Sequence, residues 1–542
     1  MNKKDFSILV GGAAGQGSRK AGLVVAKIFS ALGYKIFIYD DYQSLIRGGH
    51  SFSLIRVSEK EYNCSKKNID MLLALDERTI KEHSNNLSED AIIVFNSDKI
   101  KSNGMGVPVE TIVKELEGIP IMANTALIAG FAKVVGVDFQ SLKIVLEKEI
   151  SKGIEKNLEI ANKAYALMEE KIKIEDIGDP LPLLTGNEAL SLGAVATGLE
   201  IYFAYPMTPA TGIMNYLAEL KDCNVLVVQL ENEIAVINAA IGAAYAGKRV
   251  MVGTSGGGFA LMTEAISLAA MSETPIVVVN SQRPGPATGV PTYGGQGDLL
   301  FALNSGHGDL VRFVIAPGDA SESYEWSARA MNLAWQYQTP VIFLTEKDLS
   351  EGTFSFDLIN VEKQEALLGK NKEDYKRYEI TENGISPLVF PGGEAIVKAT
   401  SYEHDEFGIS AEDKETIQKM QDKRLRKFEA MKKEVENMKA INVYGDSEIA
   451  VICFGGSKGV VKTVCEKLGF KMIQPIVLEP FPYKQMTEAL KGVKKIICVE
   501  SNAIGQLSQV LAQNNIKVDK KILKYDGRPF LEEDLEDQLK NI

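Results

Sequence analysis

The chain has 542 residues, 45% of them hydrophobic, and a formal net charge of −12. Its length exceeds a single hydrophobic core and predicts three or four structural units, while the acidic balance argues against nucleic acid or an anionic membrane as the main partner, since phosphate binding needs a basic surface. Five scattered cysteines without a CxxC and four dispersed histidines argue against a disulfide framework, a zinc site or an iron–sulfur cluster in this chain.

The opening MNKKDFSILVGG lacks the apolar core of a signal peptide, and no apolar stretch approaches the ~18 residues of a membrane span. The expectation is a cytoplasmic chain. Residues 6–10 read as a strand, 11–17 as a tight turn, 19–32 as an amphipathic helix and 35–39 as a second strand, a βαβ opening suited to a nucleotide-like ligand. Its glycines, Gly12, Gly15 and Gly17, are spaced G-x-x-G-x-G and miss the dinucleotide fingerprint. Two readings stay open: a close strand-to-helix turn, or amides at a helix N-terminus that hold a phosphate. Arg47, in RGGHS, reads as a solvated arginine at a hairpin or bulge. Residues 71–75, 91–95 and 119–122 look like further strands, a charged helix over 142–173 ends the first domain, and 176–184 forms a proline-bearing linker.

The composition then turns rich in alanine and glycine. Runs at 225–230, 250–252 and 276–279 are short, apolar and β-branched, which suits strands buried on both faces of a parallel sheet. Ligands sit at the carboxyl ends of such strands. After the first comes Glu233, a carboxylate at a helix N-terminus that the dipole keeps ionised in a partly apolar site; a solvated capping glutamate is the plainer alternative. In the helix that follows, Ala235, Ala239 and Ala243 recur every four residues with Ala240 and Ala244 beside them. Such a bare face serves either tight packing or the close approach of a backbone or cofactor. After the second run, Thr254-Ser255-Gly256-Gly257-Gly258 opens a helix, as an amide nest for an anion or as a close-packed turn. After the third comes Arg283, whose guanidinium can grip a carboxylate through two parallel hydrogen bonds or form a surface ion pair.

Residues 311–346 supply another helix and a strand over 340–344, and 375–393 is irregular. His307, in GHGD, is a proton donor only if geometry brings it to the site. Residues 412–438 form one long helix whose mixed charges are mostly solvated. A last α/β unit starts at 449–454, passes through CFGGSKG, and continues with strands at 472–477 and 495–499.

In combination these motifs resemble the α subunit of the 2-oxoacid:ferredoxin oxidoreductases, with a γ domain fused ahead of it. The residues that carry the resemblance are Tyr205-Pro206-Met207-Thr208-Pro209, Gly186-Asn187-Glu188-Ala189, Glu233 before its Ala/Gly helix, and Arg283-Pro284-Gly285-Pro286 leading to Thr292. It covers nearly the whole chain and implies an α/β fold of three α/β domains: a γ-type domain (1–175), a thiamine-diphosphate-binding pyrimidine-type domain (185–410) and, after a connecting helix (411–441), a transketolase C-terminal-like domain (442–542). It further implies that Glu233 activates thiamine diphosphate by accepting a hydrogen bond from the aminopyrimidine, the rival Glu231 falling out of the family register. Arg283, Thr208 and Thr292 would hold the 2-oxoacid, Tyr205 and Pro206 would line the cofactor, and Gly15, Gly17 and Arg47 would lie near the path of coenzyme A.

The chain lacks the GDG motif and the later asparagine that hold Mg2+ and the diphosphate in this cofactor class. The resemblance therefore assigns Mg2+ and a [4Fe-4S] cluster to a partner β subunit, with ferredoxin as electron acceptor. The implied reaction is the coenzyme A-dependent oxidative decarboxylation of a 2-oxoacid of the pyruvate or 2-oxoglutarate type. The alternatives are a non-catalytic assembly subunit, a self-contained thiamine-dependent decarboxylase or synthase, which the missing metal motif disfavours, and, weakest, a nicotinamide dehydrogenase.

Overall fold

The computed structural model describes residues 4–44 and 48–542, so Arg47 lies outside the described residues. By its internal contacts the chain divides into two compact units, one of Met1–Leu184, Gly352–Asp357 and Phe530–Ile542, the other of Thr185–Glu351 and Leu358–Pro529. Both are sheets layered with helices, the α/β class that the strand and helix patterns predict.

In the first unit an eight-stranded sheet runs in the order Met105–Val107, Leu87–Asn96, Ile69–Ala74, Asp5–Ala14, Gly48–Ser58, Lys35–Asp41, Thr353–Ser355, Leu183–Thr185. Gly48–Ser58 pairs antiparallel with both Asp5–Ala14 and Lys35–Asp41. The opening is thus not a simple βαβ, because an antiparallel strand separates the two parallel ones. Residues 119–122, expected as a strand, instead form the 3-10 turn Pro120–Met122 that leads into helix Ala123–Val134; Pro120 has no N–H to give a ladder. The helix expected over 142–173 is two helices, Phe139–Glu149 and Ile154–Ala166, separated at Gly153 by a φ of 64° that only glycine adopts freely. Two distant segments complete this unit. Thr353–Ser355 pairs antiparallel with Lys35–Asp41, and helix Glu532–Lys540 is tied in by Glu532, whose carboxylate pairs with the buried guanidinium of Arg56.

In the second unit a seven-stranded sheet runs in the order Val477–Glu479, Phe313–Ile315, Pro340–Glu346, Ile276–Gln282, Val250–Thr254, Ile201–Ala204, Leu226–Gln229. All pair in parallel except Val477–Glu479. The three central strands are buried along their whole length, as their apolar runs predict. Leu226–Gln229 is not: it is an edge strand, and Leu226 is 59% exposed. A five-stranded sheet follows, Ile441–Tyr444, Lys471–Pro475, Ile449–Ile452, Lys495–Glu500, Lys520–Leu523.

Helix Lys414–Asn437 starts at Asp413, whose side chain accepts the Thr416 N–H. Most of its charges face solvent, but Lys423, Arg424 and Lys427 are buried, and Lys423 and Lys427 both close on the buried carboxylate of Glu273. Charges leave water only when paired. Lys458, in CFGGSKG, behaves likewise: its ammonium bridges Asp319 and Glu322 and so ties the C-terminal sheet region to helix Ala320–Tyr337. Among the described residues no helix is long and apolar enough to cross a membrane.

Candidate active site

Six parallel strands of the seven-stranded sheet point their carboxyl ends to one edge, and buried polar side chains gather there. Native interiors pair nearly all such groups. Here Asn187 Oδ1, Glu233 Oε1, Ser255 Oγ, Asn280 Oδ1, Arg283 Nε and Glu346 Oε2 are buried without a hydrogen-bond partner among the described residues. A concentration of unanswered donors and acceptors at the ligand edge of a parallel sheet marks a binding site whose occupant supplies the missing partners.

Glu233 is the first residue of helix Glu233–Tyr245, which Asn232 caps by accepting the Ala235 N–H at 2.9 Å. Its side chain is only 3% exposed. Helix Gly256–Met271 begins beside it, and a methyl on Gly258 would lie 2.6 Å from Glu233 Oε1 and 2.1 Å from Thr254 Oγ1. Gly256 does the same for a second carboxylate: a methyl there would lie 2.8 Å from Asp298 Oδ2. Gly257 between them is exposed. The glycine run is therefore a close-packed turn, and the carboxyl groups beside it are the protein's own.

Arg283 follows strand Ile276–Gln282 directly, and its Nη1 donates to the carbonyl of Thr208 at 2.7 Å. The structure thus brings Arg283 and Thr208 together. Burial disfavours the guanidinium charge, and the carboxylate of Asp298 works against that. The loop beyond Arg283 closes through the Val290 N–H on the Pro284 carbonyl at 2.9 Å, and Thr292 is buried two residues further on. The loop is then clamped to the C-terminal region. The Gly294 N–H donates to Gly527 O at 3.2 Å, that of Gln296 to Ser501 O at 2.8 Å, and Gln296 Nε2 to Phe454 O at 2.7 Å. Tyr205 and Pro206 follow strand Ile201–Ala204 at the same edge and are exposed.

The alanine-rich helix divides its small residues. Ala240 and Ala244 pack into the core, whereas Ile234, Asn238 and Gly242 form an exposed stripe. His307 contacts Ser267 Oγ through Nδ1 at 3.2 Å, near the end of helix Gly256–Met271 and ahead of strand Phe313–Ile315. That is the amino edge of the sheet, opposite Glu233, so the structure does not bring His307 to the site. Gly15 and Gly17 belong to the first unit, with φ of 91° and 80°. Gly15 lines a cavity of about 740 Å³ with Gln16, Asn96, Lys99 and Lys114, and Gly17, at the start of helix Ser18–Ala31, lines one of about 370 Å³ with Lys20 and Lys152.

Three residues at the carboxyl edge escape a reading of the sequence: Asn280, Asp298 and Glu346. Glu346 ends strand Pro340–Glu346 and accepts the Gly456 N–H; burial, with Asp348 adding to it, pushes its carboxyl up to about 8. The available signal was a polar residue closing an otherwise apolar strand, as in VVVNSQ and VIFLTE.

Residues 192–423 match the family model described as "Pyruvate flavodoxin/ferredoxin oxidoreductase, thiamine diP-bdg", residues 7–167 "Pyruvate ferredoxin/flavodoxin oxidoreductase" and residues 447–535 "Pyruvate:ferredoxin oxidoreductase core domain II". The chain is 32% identical to the 2-oxoacid:ferredoxin oxidoreductase subunit alpha of Saccharolobus solfataricus over 99% of its own length and 98% of the relative's. It is 33% identical to the 2-oxoglutarate synthase subunit KorA of Methanocaldococcus jannaschii over 65% of this chain and 97% of that one. Its fold is similar to that of a 2-oxoglutarate:ferredoxin oxidoreductase from Magnetococcus marinus with 2-oxoglutarate, coenzyme A and succinyl-CoA bound, at a TM-score of 0.91 and 30% identity over the full length of both chains. On the matches across all three regions and the full-length identity, the chain belongs to the 2-oxoacid:ferredoxin oxidoreductase alpha-subunit family.

Proposed function

We propose that this chain is the fused γ–α subunit of a coenzyme A-dependent 2-oxoacid:ferredoxin oxidoreductase that acts in the cytoplasm on a 2-oxoacid of the 2-oxoglutarate or pyruvate type. In this reading residues 1–175 are the γ-type domain, 185–410 the thiamine-diphosphate-binding domain and 442–542 the transketolase C-terminal-like domain. The observation that carries it is the buried, partnerless Oε1 of Glu233, packed so closely against Gly258 that no side chain fits there. These residues fit thiamine diphosphate, which when bound supplies the nucleophilic carbon and the electron sink for loss of carbon dioxide.

Glu233, at the starts of two helices, offers Oε1 to a ring N–H of the aminopyrimidine. Tyr205 and Pro206 line the cofactor. Arg283 receives the 2-oxoacid carboxylate with its fork of donors, and its bond to the Thr208 carbonyl fixes the direction of that fork. Thr208 and Thr292 add neutral hydroxyls to the same end of the substrate. Gly15 and Gly17 lie along the coenzyme A path, where backbone amides at the helix start meet phosphate. Mg2+ and a [4Fe-4S] cluster reside on a partner β subunit that passes electrons to ferredoxin. The exposed stripe of Ile234, Asn238 and Gly242 supports a close contact with that subunit.

The test is substitution in the enzyme isolated with its partner chain. Glu233→Gln should keep the fold and lower turnover by at least ~10²-fold, the usual scale for lost proton-transfer assistance. Arg283→Lys should raise the KM for every 2-oxoacid, because a point charge does not reproduce the bidentate fork. Near-normal kinetics in both variants sinks the reading.

A further inference from the structure

Asp298, like Glu346, is a carboxyl group at this edge that the reading above leaves without a task. Its Oδ2 accepts from Asn280 Nδ2 at 3.1 Å, and its backbone N–H donates to Gln282 Oε1 at 2.9 Å. The same Oδ2 reaches the amino end of helix Gly256–Met271, which only a glycine at 256 allows. Two bonds from strand Ile276–Gln282 thus hold Asp298 at the strand end that carries Arg283, and the two side chains attract each other. Asn280, 0% exposed, is fixed by the same bond and keeps its Oδ1 without a partner.

We propose that Asp298 is a positioning residue of the 2-oxoacid site: anchored through Asn280 and Gln282 at the strand end that carries Arg283, it acts on the guanidinium through its charge and so tunes how Arg283 receives the substrate carboxylate. This rests on the reading of Arg283 as the carboxylate grip and adds the group that tunes it. Two anions drawing on one cation repel each other, so an anionic 2-oxoacid binds better while Asp298 carries a proton. Burial raises the Asp298 carboxyl above the usual aspartate value, while the Asn280 bond and Arg283 draw it back down. Among the described residues Arg283 is the charged group that acts on it. The groups it bonds, Asn280 and Gln282, and the Gly256 backbone it approaches are neutral. Affinity for anionic 2-oxoacids therefore weakens as pH rises through the Asp298 titration.

The experiment measures kcat and KM for 2-oxoglutarate and pyruvate from acid to alkaline pH, on the enzyme as isolated with its partner chain, in wild type, Asp298→Asn, Asn280→Ala and Arg283→Lys. Titration calorimetry of the same acids onto enzyme without added cofactor follows binding apart from turnover. In wild type the affinity should fall with rising pH. Asp298→Asn, which cannot ionise, should lose that fall, bind about 3- to 10-fold tighter at the alkaline end on the scale of one nearby charge, and change KM more than kcat. If Asp298→Asn fails to fold, Asn280→Ala carries the test: removing the bond that lowers Asp298 should move the fall to higher pH. A wild-type pH dependence retained in Asp298→Asn, or unmoved in Asn280→Ala, while Arg283→Lys raises KM, overturns the role of Asp298 and leaves Arg283 standing. An unchanged KM in Arg283→Lys overturns the Arg283 reading and this inference with it.

Discussion

The substitution Gly258→Ala tests whether the position of the Glu233 carboxylate, and not merely its presence, sustains turnover. The added methyl would lie 2.1 Å from Thr254 Oγ1, 2.6 Å from Glu233 Oε1 and 2.7 Å from Glu233 Cγ. Carbon–oxygen contacts relax only near ~3.3 Å, so Thr254 Oγ1 must give by roughly 1.2 Å and Glu233 Oε1 by roughly 0.7 Å against walls at native packing density. Thr254 is 0% exposed and fixed on a central strand. The methyl therefore displaces the Glu233 carboxylate as well as the Thr254 hydroxyl. Misplacing a reacting group by about 1 Å costs on the order of 10²-fold in rate, while overpacking of this size costs about 1–3 kcal/mol of stability. Gly257→Ala is the matched control, since its nearest neighbour for a new methyl is the Ala287 carbonyl at 3.8 Å. In 2-oxoacid-dependent dye reduction by the enzyme with its partner chain, Gly258→Ala should fall about 10²-fold and Gly257→Ala should stay within a few-fold. Thermal melts run in parallel separate misplacement from unfolding. A folded Gly258→Ala with wild-type turnover refutes the placement argument for Glu233.

Two further outcomes follow from buried charges. Glu273→Gln leaves the ammoniums of Lys423 and Lys427 buried without their carboxylate and should cost about 3–5 kcal/mol, read as a lower denaturation midpoint; a change under about 1 kcal/mol would show that solvent already reaches the pair. Glu346, pushed up to about 8 by burial, holds its proton in the folded state through the range where the unfolded chain gives it up. Its stabilising contribution is complete below the unfolded carboxyl pKa near ~4.3 and is lost as pH climbs towards about 8. Denaturant titrations at acid and alkaline pH should show wild type losing more stability on alkalinisation than Glu346→Gln, which keeps an acceptor for Gly456. Equal losses in both would remove Glu346 as the cause.

Much of the second unit was legible because its signals are local. A fully buried parallel strand needs an unbroken β-branched run, so 250–252 and 276–279 announced strands Val250–Thr254 and Ile276–Gln282. The long run of mixed charge over 412–438 announced helix Lys414–Asn437. The misreadings were local rivalries. The apolar run at 225–230 looks the same at an edge as in the centre, and Ile119-Pro120-Ile121-Met122 has strand-like side chains around a proline that cannot pair.

For the site, the sequence alone determined the chemistry on offer: a carboxylate after a strand at Glu233, a guanidinium after a strand at Arg283, hydroxyls at Thr208 and Thr292, and glycines between them. Only the tertiary structure decided which of these meet. Arg283 and Thr208 are 75 positions apart yet joined by a hydrogen bond, His307 is carried to the opposite edge, and Asp298, unremarkable in its loop, is tied to Asn280 and Gln282 at the end of the strand that leads into Arg283. The physical reason is that propensity and periodicity act over a few residues, whereas the parallel sheet gathers the ends of strands far apart in sequence. Once burial removes water, each polar atom there is answered by whatever the fold brings within reach.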